Sequence, residues 1–306
     1  MGNCIPGSPE IVVNRTSVSF LDLFNLTDDE DYTDIDLDYV GAQPCHNRYC
    51  PFFYRAAPPF LATTGATALV ATAALLLALF LRPHAWPRGR TPAAQAAACC
   101  GLFAVTLLPM ATGVAWGWRA GDGLCRAVLL LWHGSVLAQG LLLGAGCCGA
   151  WGRARCVAVA LGVTAAVTAV PAALSGGTVG TGQDAQCVHR SVDVASVPYL
   201  LHIAVCFCVL LLLPGTLLVP AVRQRTWSAM RCGMGWLFWA LWAPYGAMLV
   251  VELLLEVEVL PPSCSTFEHF DFALGLSVAL GGLHCCLMPL ALLLAAFCCH
   301  KGGAPC

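Results

Sequence analysis

Long apolar segments alternate with short polar ones along most of the chain. Seven apolar segments contain no Asp, Glu, Lys or Arg, and each reaches the roughly 20 residues that a helix needs to cross a bilayer. They are Ala56–Leu81, Ala93–Trp118, Ala127–Gly152, Cys156–Thr181, Val194–Val222, Cys232–Val251 and Phe272–Cys299. Because they lack the alternating polar positions of barrel strands, the pattern predicts an all-α membrane protein, a bundle of seven transmembrane helices.

The composition supports this interpretation and divides the chain into three parts. Of 306 residues, 58% are hydrophobic and 10% are charged, whereas a soluble domain carries about 25% charged residues. Residues 1–55 form an acidic segment that we expect to be extracellular, disordered and glycosylated. Residues 56–299 form the bundle, and residues 300–306 form a short cytoplasmic tail.

The charges predict the orientation of the bundle. The loops after the first, third and fifth segments and the tail contain Arg or Lys but no acid, whereas every Asp and Glu lies on the other side. Basic loops stay in the cytoplasm, so the amino terminus is predicted to be outside. Two N-glycosylation sequences, at Asn14 and Asn25, precede the first segment and agree with that orientation. The net charge of −2 does not favour nucleic acid as a partner.

Few polar side chains lie inside the predicted spans. His133, Gln139, His202 and His284 are expected to form hydrogen bonds between helices. Transporters and channels need ionisable groups at membrane depth, and hydrolysis needs paired carboxylates or a nucleophile with its base. We therefore expect neither transport nor an enzyme, and no cofactor. No metal site is expected either, because no pair of spaced cysteines has matching spaced histidines.

Two small residues in the third span, Gly140 and Gly144, are one helical turn apart. Such a pair lets two helices approach closely. We expect it to pack inside the bundle, with homodimerisation as the second interpretation.

Short motifs resemble those of rhodopsin-like receptors. The sixth span contains Trp242 and Pro244 of the superfamily's Cys-Trp-x-Pro motif, and the seventh retains only Pro289 of Asn-Pro-x-x-Tyr. At the inner end of the third span, the superfamily's Asp-Arg-Tyr is replaced by Gly149-Ala150-Trp151. Since the family arginine engages the G protein, the resemblance implies that ordinary G-protein coupling is absent.

The outer half resembles a chemokine receptor, and the altered third-span motif resembles the atypical group of that family. An acidic run with two tyrosines is followed by Pro44-Cys45 before the first span, and Cys264 precedes the last. Further matching motifs are Pro51-Phe52-Phe53, Leu81-Arg82-Pro83, Gln139–Gly144, Leu283–Leu290 and Phe297–His300. The resemblance implies a receptor that binds both CC and CXC chemokines and acts as a scavenger, reservoir or transcytosis receptor. A conventional signalling chemokine or peptide receptor with a degenerate motif is the alternative, and a structural membrane protein is the third.

The acidic run is the predicted ligand-binding segment. Its acids and tyrosines are Asp28, Asp29, Glu30, Asp31, Tyr32, Asp34, Asp36, Asp38 and Tyr39. Chemokines are small basic proteins, so this segment would capture them by long-range attraction, and sulfation of Tyr32 or Tyr39 would strengthen it. A second set of acids, Glu252, Glu256, Glu258, Glu268 and Asp271, is expected to contact the ligand at the pocket rim or simply to solvate it.

Six of the 19 cysteines lie outside, where thiols usually pair. A Cys125–Cys187 bond would pin the long loop across the bundle mouth, an arrangement common in seven-helix receptors. For Cys264 we favour Cys45 as the partner, and the pairing of Cys4 and Cys50 stays open. Cysteines within the spans are expected to be apolar packing residues, and Cys298 and Cys299 are candidates for palmitoylation at the inner face.

These features predict a multi-pass protein of the plasma membrane that also visits early and recycling endosomes. Membrane lipid and chemokines are its expected partners, and homo- or hetero-oligomers with other receptors are a further expectation.

Overall fold

The computed structural model describes residues 48–81, 90–147, 154–180, 185–189, 196–224, 233–257, 259–260 and 263–302. Within this part, seven helical spans are long and apolar enough to cross a membrane, which confirms the predicted fold and a multi-pass membrane protein. The acidic run, Asn14, Asn25, Cys45, Gly149–Trp151 and Glu258 lie outside the described residues.

The spans are built from nine α-helices and one π-helical segment in the described residues. The helices are α1 (Cys50–Leu81), α2 (Arg90–Trp116), α3 (Gly121–Cys147), α4 (Ala154–Ser175), α5 (Val197–Phe207), α6 (Leu213–Gln224), α7 (Gly233–Glu256), α8 (Cys264–Gly282) and α9 (His284–Gly302). Two strands, β1 (Gly177–Val179) and β2 (Gln186–Val188), form a hairpin between α4 and α5.

The helices form a closed ring. α1 packs on α2 and α9, α3 packs on α2, α4 and α7, and α5 packs on α4 and α7. In α1 the buried side chains recur every three or four residues, as at Phe53, Ala57, Leu61 and Ala68, so one stripe faces the core. The other faces carry exposed Val, Leu and Phe side chains, as a lipid-facing surface requires.

Two spans are not single α-helices. The π-helical segment Cys208–Leu212 joins α5 to α6 just before Pro214. Because proline lacks an N–H, it removes one helical hydrogen bond, and the wider turn accommodates the loss. Leu283 separates α8 from α9 after the glycines Gly281 and Gly282. Pro109, Pro171, Pro244 and Pro289 lie within helices, as predicted.

At the end that the charge pattern places outside, which we call the outer end, the first, third, sixth and seventh predicted spans were too short and the second, fourth and fifth were too long. The fourth helix ends at Ser175 rather than Thr181, because β1 begins at Gly177. α1 begins at Cys50 rather than Ala56, α7 continues to Glu256 rather than Val251, and the last span begins at Cys264 rather than Phe272. Hydropathy marks the apolar stretch, whereas backbone hydrogen bonding carries a helix beyond it. Ser263 caps α8 by accepting a hydrogen bond from the Thr266 N–H at 3.1 Å. Several acids therefore lie on helices rather than in loops.

Candidate functional site

The hairpin is fixed to the outer end of α3 through both of its strands. Cys187 on β2 is disulfide-bonded to Cys125, with the Cα atoms 5.5 Å apart, which confirms that prediction. On β1, the Thr178 N–H donates to Oδ1 of Asp122 at 2.9 Å. Asp122 also forms an ion pair with Arg126, whose Nε lies 2.6 Å from Oδ2. These contacts hold the hairpin across the mouth of the bundle.

A cavity of about 100 Å³ lies below the hairpin. Its polar and aromatic lining comes from β2, α3, α5 and α7, and aliphatic side chains from α1, α2, α7 and α8 complete the wall. The polar and aromatic residues are Trp132, Gln186, His189, Tyr199, His202 and Tyr245. The cavity is therefore largely apolar with a few convergent polar groups, the usual character of a small ligand site.

Three histidines meet beside this cavity. Nδ1 of His189 lies 3.4 Å from Nε2 of His133, and the rings of His133 and His202 are 4.5 Å apart between centroids. Nε2 of His202 lies 3.4 Å from Oη of Tyr245. Burial lowers the pKa of His189, which follows β2, to about 3, so its imidazole is neutral at pH 7. The predicted polar contact between helices is present for His202, which meets Tyr245 of α7, whereas the ring nitrogen of His133 meets His189 at the end of the hairpin rather than a residue of a second helix.

The predicted rim acids separate into two groups. Glu252 and Asp271 are each only 4% exposed, and the Tyr199 hydroxyl donates a hydrogen bond to Oε2 of Glu252. Glu256 is exposed, one helical turn after Glu252 on α7. Glu252 on α7 and Asp271 on α8 are therefore buried inside the bundle mouth and are not acids that simply solvate its rim.

The first and last spans are joined at their outer ends. The Arg48 N–H donates to Oε1 of Glu268 at 2.9 Å, and Tyr49 stacks on Phe272 with ring centroids 4.3 Å apart. Cys50 and Cys264 are both disulfide-bonded. The Cys45–Cys264 pairing stays a prediction, since Cys45 lies outside the described residues.

The middle of the bundle is held by neutral polar groups. Trp242 is 1% exposed, and its indole N–H donates to Nδ1 of His284 at 3.1 Å. The Gln139 amide lies 2.8 Å from Sδ of Met288, and its oxygen lies 3.7 Å from Sγ of Cys100. His284 and Gln139 thus connect helices as predicted.

The small-residue pair of α3 packs inside the bundle, as expected. A Cβ atom on Gly140 would lie 2.8 Å from Cγ1 of Val209, and one on Gly144 would lie 2.8 Å from Cδ2 of Leu213. These glycines let α3 approach the fifth span closely. Whether the pair also supports an oligomer stays a prediction.

Most of the span cysteines that the structure describes are free, and five of them are buried packing residues: Cys99, Cys100, Cys206, Cys285 and Cys286. The prediction was wrong for Cys147 at the inner end of α3, which is disulfide-bonded. The sequence could not distinguish Cys147 from the free cysteines, because a free thiol and a disulfide-bonded cysteine are the same residue in the sequence. Cys298 and Cys299 lie on α9, and their palmitoylation stays a prediction.

The sequence did not point to Tyr199 or His189 as residues of the mouth. Tyr199 is 53 positions from its partner Glu252, and His189 is 56 positions from His133, so no local pattern links them. Asp122 and Arg126 did carry a signal, because opposite charges four residues apart pair on a helix.

The ring of seven spans and the disulfide-anchored hairpin form a seven-transmembrane bundle of the rhodopsin-like receptor type. No protein-family model matches the chain. The chain is 29% identical to atypical chemokine receptor 1 of Gorilla gorilla gorilla over 321 residues, which is 96% of this chain and 91% of that protein. It is 27% identical to atypical chemokine receptor 1 of Mus musculus and 29% identical to that of Homo sapiens, each over 97% of this chain and 92% of the relative.

These similarities extend over nearly the whole chain and confirm the resemblance to the atypical chemokine receptors. Within this group the chain resembles the Duffy antigen/chemokine receptor, which is another name for the atypical chemokine receptor 1 of these relatives. The relatives of this chain are receptors rather than enzymes, which agrees with the predicted receptor class.

Proposed function

We propose that the protein is an atypical chemokine receptor that binds CC and CXC chemokines and carries or stores them without activating a G protein. The similarity to proteins named atypical chemokine receptor 1, over nearly the whole chain, is the observation on which this proposal depends. The alternatives are a conventional signalling receptor with a degenerate third-span motif and a structural membrane protein.

Capture is the first step of the proposed mechanism. Seven acids lie between Asp28 and Asp38, whereas the ligands of this family are basic. Exposed charges of opposite sign raise association rates, and salt weakens the effect because the screening length is about 10 Å at 0.1 M. Sulfation of Tyr32 or Tyr39 would add fixed negative charge to the segment.

The capture step is tested by chemokine association kinetics. Neutralising Asp28, Asp29, Glu30 and Asp31 to their amides should slow association roughly tenfold or more at low salt, with a smaller effect at high salt. The matched control exchanges Asp for Glu and Glu for Asp at the same four positions, which keeps every charge. Unchanged association rates in the amide variant, or equal slowing in the charge-retaining variant, would contradict electrostatic capture.

Docking at the mouth is the second step. The hairpin is anchored at Cys125 and Asp122, so it offers a preformed surface beside the cavity. Glu252 and Asp271 bring two carboxylates to the same mouth, where a basic ligand terminus would gain from them. Glu252→Gln should speed chemokine dissociation with little change in association rate, and the reverse pattern would contradict docking at this carboxylate.

Absence of G-protein activation is the third element of the proposal. It is supported by Gly149-Ala150-Trp151, which supplies no arginine at the position where the superfamily carries one. Labelled CC and CXC chemokines should be taken up by transfected cells without a calcium or cyclic-nucleotide response. Uptake with such a response would favour the signalling receptor, and no binding to any chemokine would favour the structural protein.

The route of the bound ligand follows from this function. We place the receptor in the plasma membrane with its amino terminus outside, and passing through early and recycling endosomes during internalisation or transcytosis. Imaging of labelled chemokine with endosomal markers in polarised cells tests this route. Ligand that stays at the surface would favour a reservoir over transcytosis.

A further inference from the structure

Three imidazoles from three separate elements meet under the hairpin. His133 lies on α3, His189 directly follows β2, and His202 lies on α5. Nδ1 of His189 and Nε2 of His133 face each other at 3.4 Å, and the His202 ring packs edge-on against His133 at 4.5 Å between centroids. A distance of 3.4 Å is long for an N–H···N hydrogen bond, so the pair is not explained as a strong hydrogen bond.

The same spacing suits two ligands of one metal ion. Zinc–nitrogen bonds are about 2.0–2.1 Å, and tetrahedral angles then set two ligating nitrogens about 3.3–3.4 Å apart. We propose that His133 and His189 bind a divalent transition-metal ion, with Zn²⁺ as the metal to test, and that His202 completes the protein ligands. Imidazole is the ligand that suits such cations.

The third ligand requires a local rearrangement. No three His, Cys, Asp or Glu side chains in the described part of the chain already converge on one point. His202 is the nearest third donor, and rotation of its ring would aim a nitrogen at the His133–His189 pair. Its other ring nitrogen could then keep the Tyr245 hydroxyl, now 3.4 Å from Nε2, as an outer hydrogen-bond partner.

Two of the three rings border the cavity under the hairpin. His189 and His202 both line it, so an ion in the cavity would lie beside two of the proposed ligands. This inference departs from the expectation of no metal site, which considered only spacing along the chain.

The proposed ion would be a second clamp between the hairpin and α3. Cys187 lies two residues before His189, and its disulfide partner Cys125 lies eight residues, about two helical turns, before His133. The disulfide and the metal would therefore hold the same hairpin to the same helix at two depths. Bound metal should make the mouth more rigid without changing the fold.

The test uses the full-length protein, purified in detergent and stripped with a chelator. Zn²⁺ titration should show saturable binding of one ion, and Co²⁺ should give the visible absorption bands of a nitrogen-ligated tetrahedral ion. His189→Asn and His133→Gln should each lower the affinity for Zn²⁺ more than about tenfold, because each removes a direct ligand. Tyr245→Phe, which removes only the outer partner of His202, should lower it about tenfold.

Matched controls separate this site from adventitious binding. His269 on α8 is exposed, so His269→Gln should leave Zn²⁺ affinity unchanged, and Mg²⁺ should not compete. Unchanged affinity in His189→Asn, or an equal loss in His269→Gln, would overturn the proposal, as would the absence of saturable binding. If His133→Gln does not fold, His189→Asn still decides, because its side chain lies in the loop.

Discussion

The buried hydrogen bond between Tyr199 and Glu252 gives the sharpest test of how the mouth is built. Tyr199 on α5 is 3% exposed and Glu252 on α7 is 4% exposed, and the Tyr199 hydroxyl donates to Oε2. The bond joins two spans through a carboxylate that is almost removed from water. We therefore expect Tyr199→Phe, which removes only the hydroxyl, to destabilise the folded protein.

The expected loss follows from the charge and the burial of the acceptor. A hydrogen bond to a charged group contributes about 1.5–3 kcal/mol, and a buried carboxylate that loses a donor also loses part of its compensation for desolvation. Since screening by solvent is small at 4% exposure, we expect about 2–3 kcal/mol for Tyr199→Phe. Glu256→Gln, one turn along α7 and exposed, should change stability by less than about 0.5 kcal/mol.

Equilibrium unfolding in mixed detergent micelles would measure these differences in a double-mutant cycle. Glu252→Gln removes the charge, so adding Tyr199→Phe to it should cost much less than Tyr199→Phe alone. The coupling free energy should be at least about 1 kcal/mol. Additive effects of the two substitutions, with coupling near zero, would refute the view that this hydrogen bond holds α5 to α7.

Three further predictions concern the loop, the bundle and the core. Because burial lowers the pKa of His189 from 6.5 to about 3, the unfolded chain binds a proton below pH 6.5 that the folded chain does not. Stability should therefore fall as the pH drops from 6.5 towards 3. The slope for one proton is at most about 1.4 kcal/mol per pH unit, and it should be smaller here because the His189 side chain keeps some exposure. His189→Asn should flatten this unfolding profile. Gly140→Ala should destabilise the folded protein by about 1–3 kcal/mol, because the new Cβ would lie 2.8 Å from Cγ1 of Val209. Gly162→Ala is its control in the same unfolding assay. No atom lies within 4 Å of a Cβ at Gly162 on α4, so this change should stabilise the protein by up to about 1 kcal/mol. Replacing Na⁺ by choline at constant ionic strength should leave chemokine affinity unchanged. Gln139, Cys100 and Met288, which meet in the middle of the bundle, offer a cation only neutral and largely sulfur-bearing groups. A Na⁺-dependent affinity in radioligand binding would contradict this prediction.

The number of spans could be predicted from the sequence because a bilayer imposes a length and an apolar composition on every helix that crosses it. The outer ends could not be placed, since a helix continues past the bilayer as long as its backbone bonds and caps allow. Ser263 shows the point: its capping bond to the Thr266 N–H sets the start of α8 eight residues before the apolar stretch begins at Phe272.

The candidate site was predictable only in part. Cys125 and Cys187 could be paired because their places at the start of a span and within a loop are visible in the order of the segments. The Tyr199–Glu252 and His133–His189 contacts could not, because each joins elements more than 50 residues apart whose relative rotation is decided by packing. The acids at the mouth were recognised, but burial of Glu252 and Asp271 depends on that same rotation.

The contrast between the mouth and the middle of the bundle bears on how binding could be separated from signalling. Around the mouth, charged groups hold the elements together, as Asp122 holds the hairpin and Glu252 holds α5 to α7. In the middle, the contacts of Trp242 with His284 and of Gln139 with Met288 are neutral. Coupling between two sites is a difference in free energy between two states, so each site must make different contacts in each state. Neutral contacts can keep one arrangement without an ion or a proton. Among the contacts described in the middle of the bundle, a ligand bound at the mouth would therefore find no charged pair to rearrange. A receptor built in this way would hold its ligand firmly while its inner face stayed unchanged, which is why uptake and G-protein activation must be measured on the same cells.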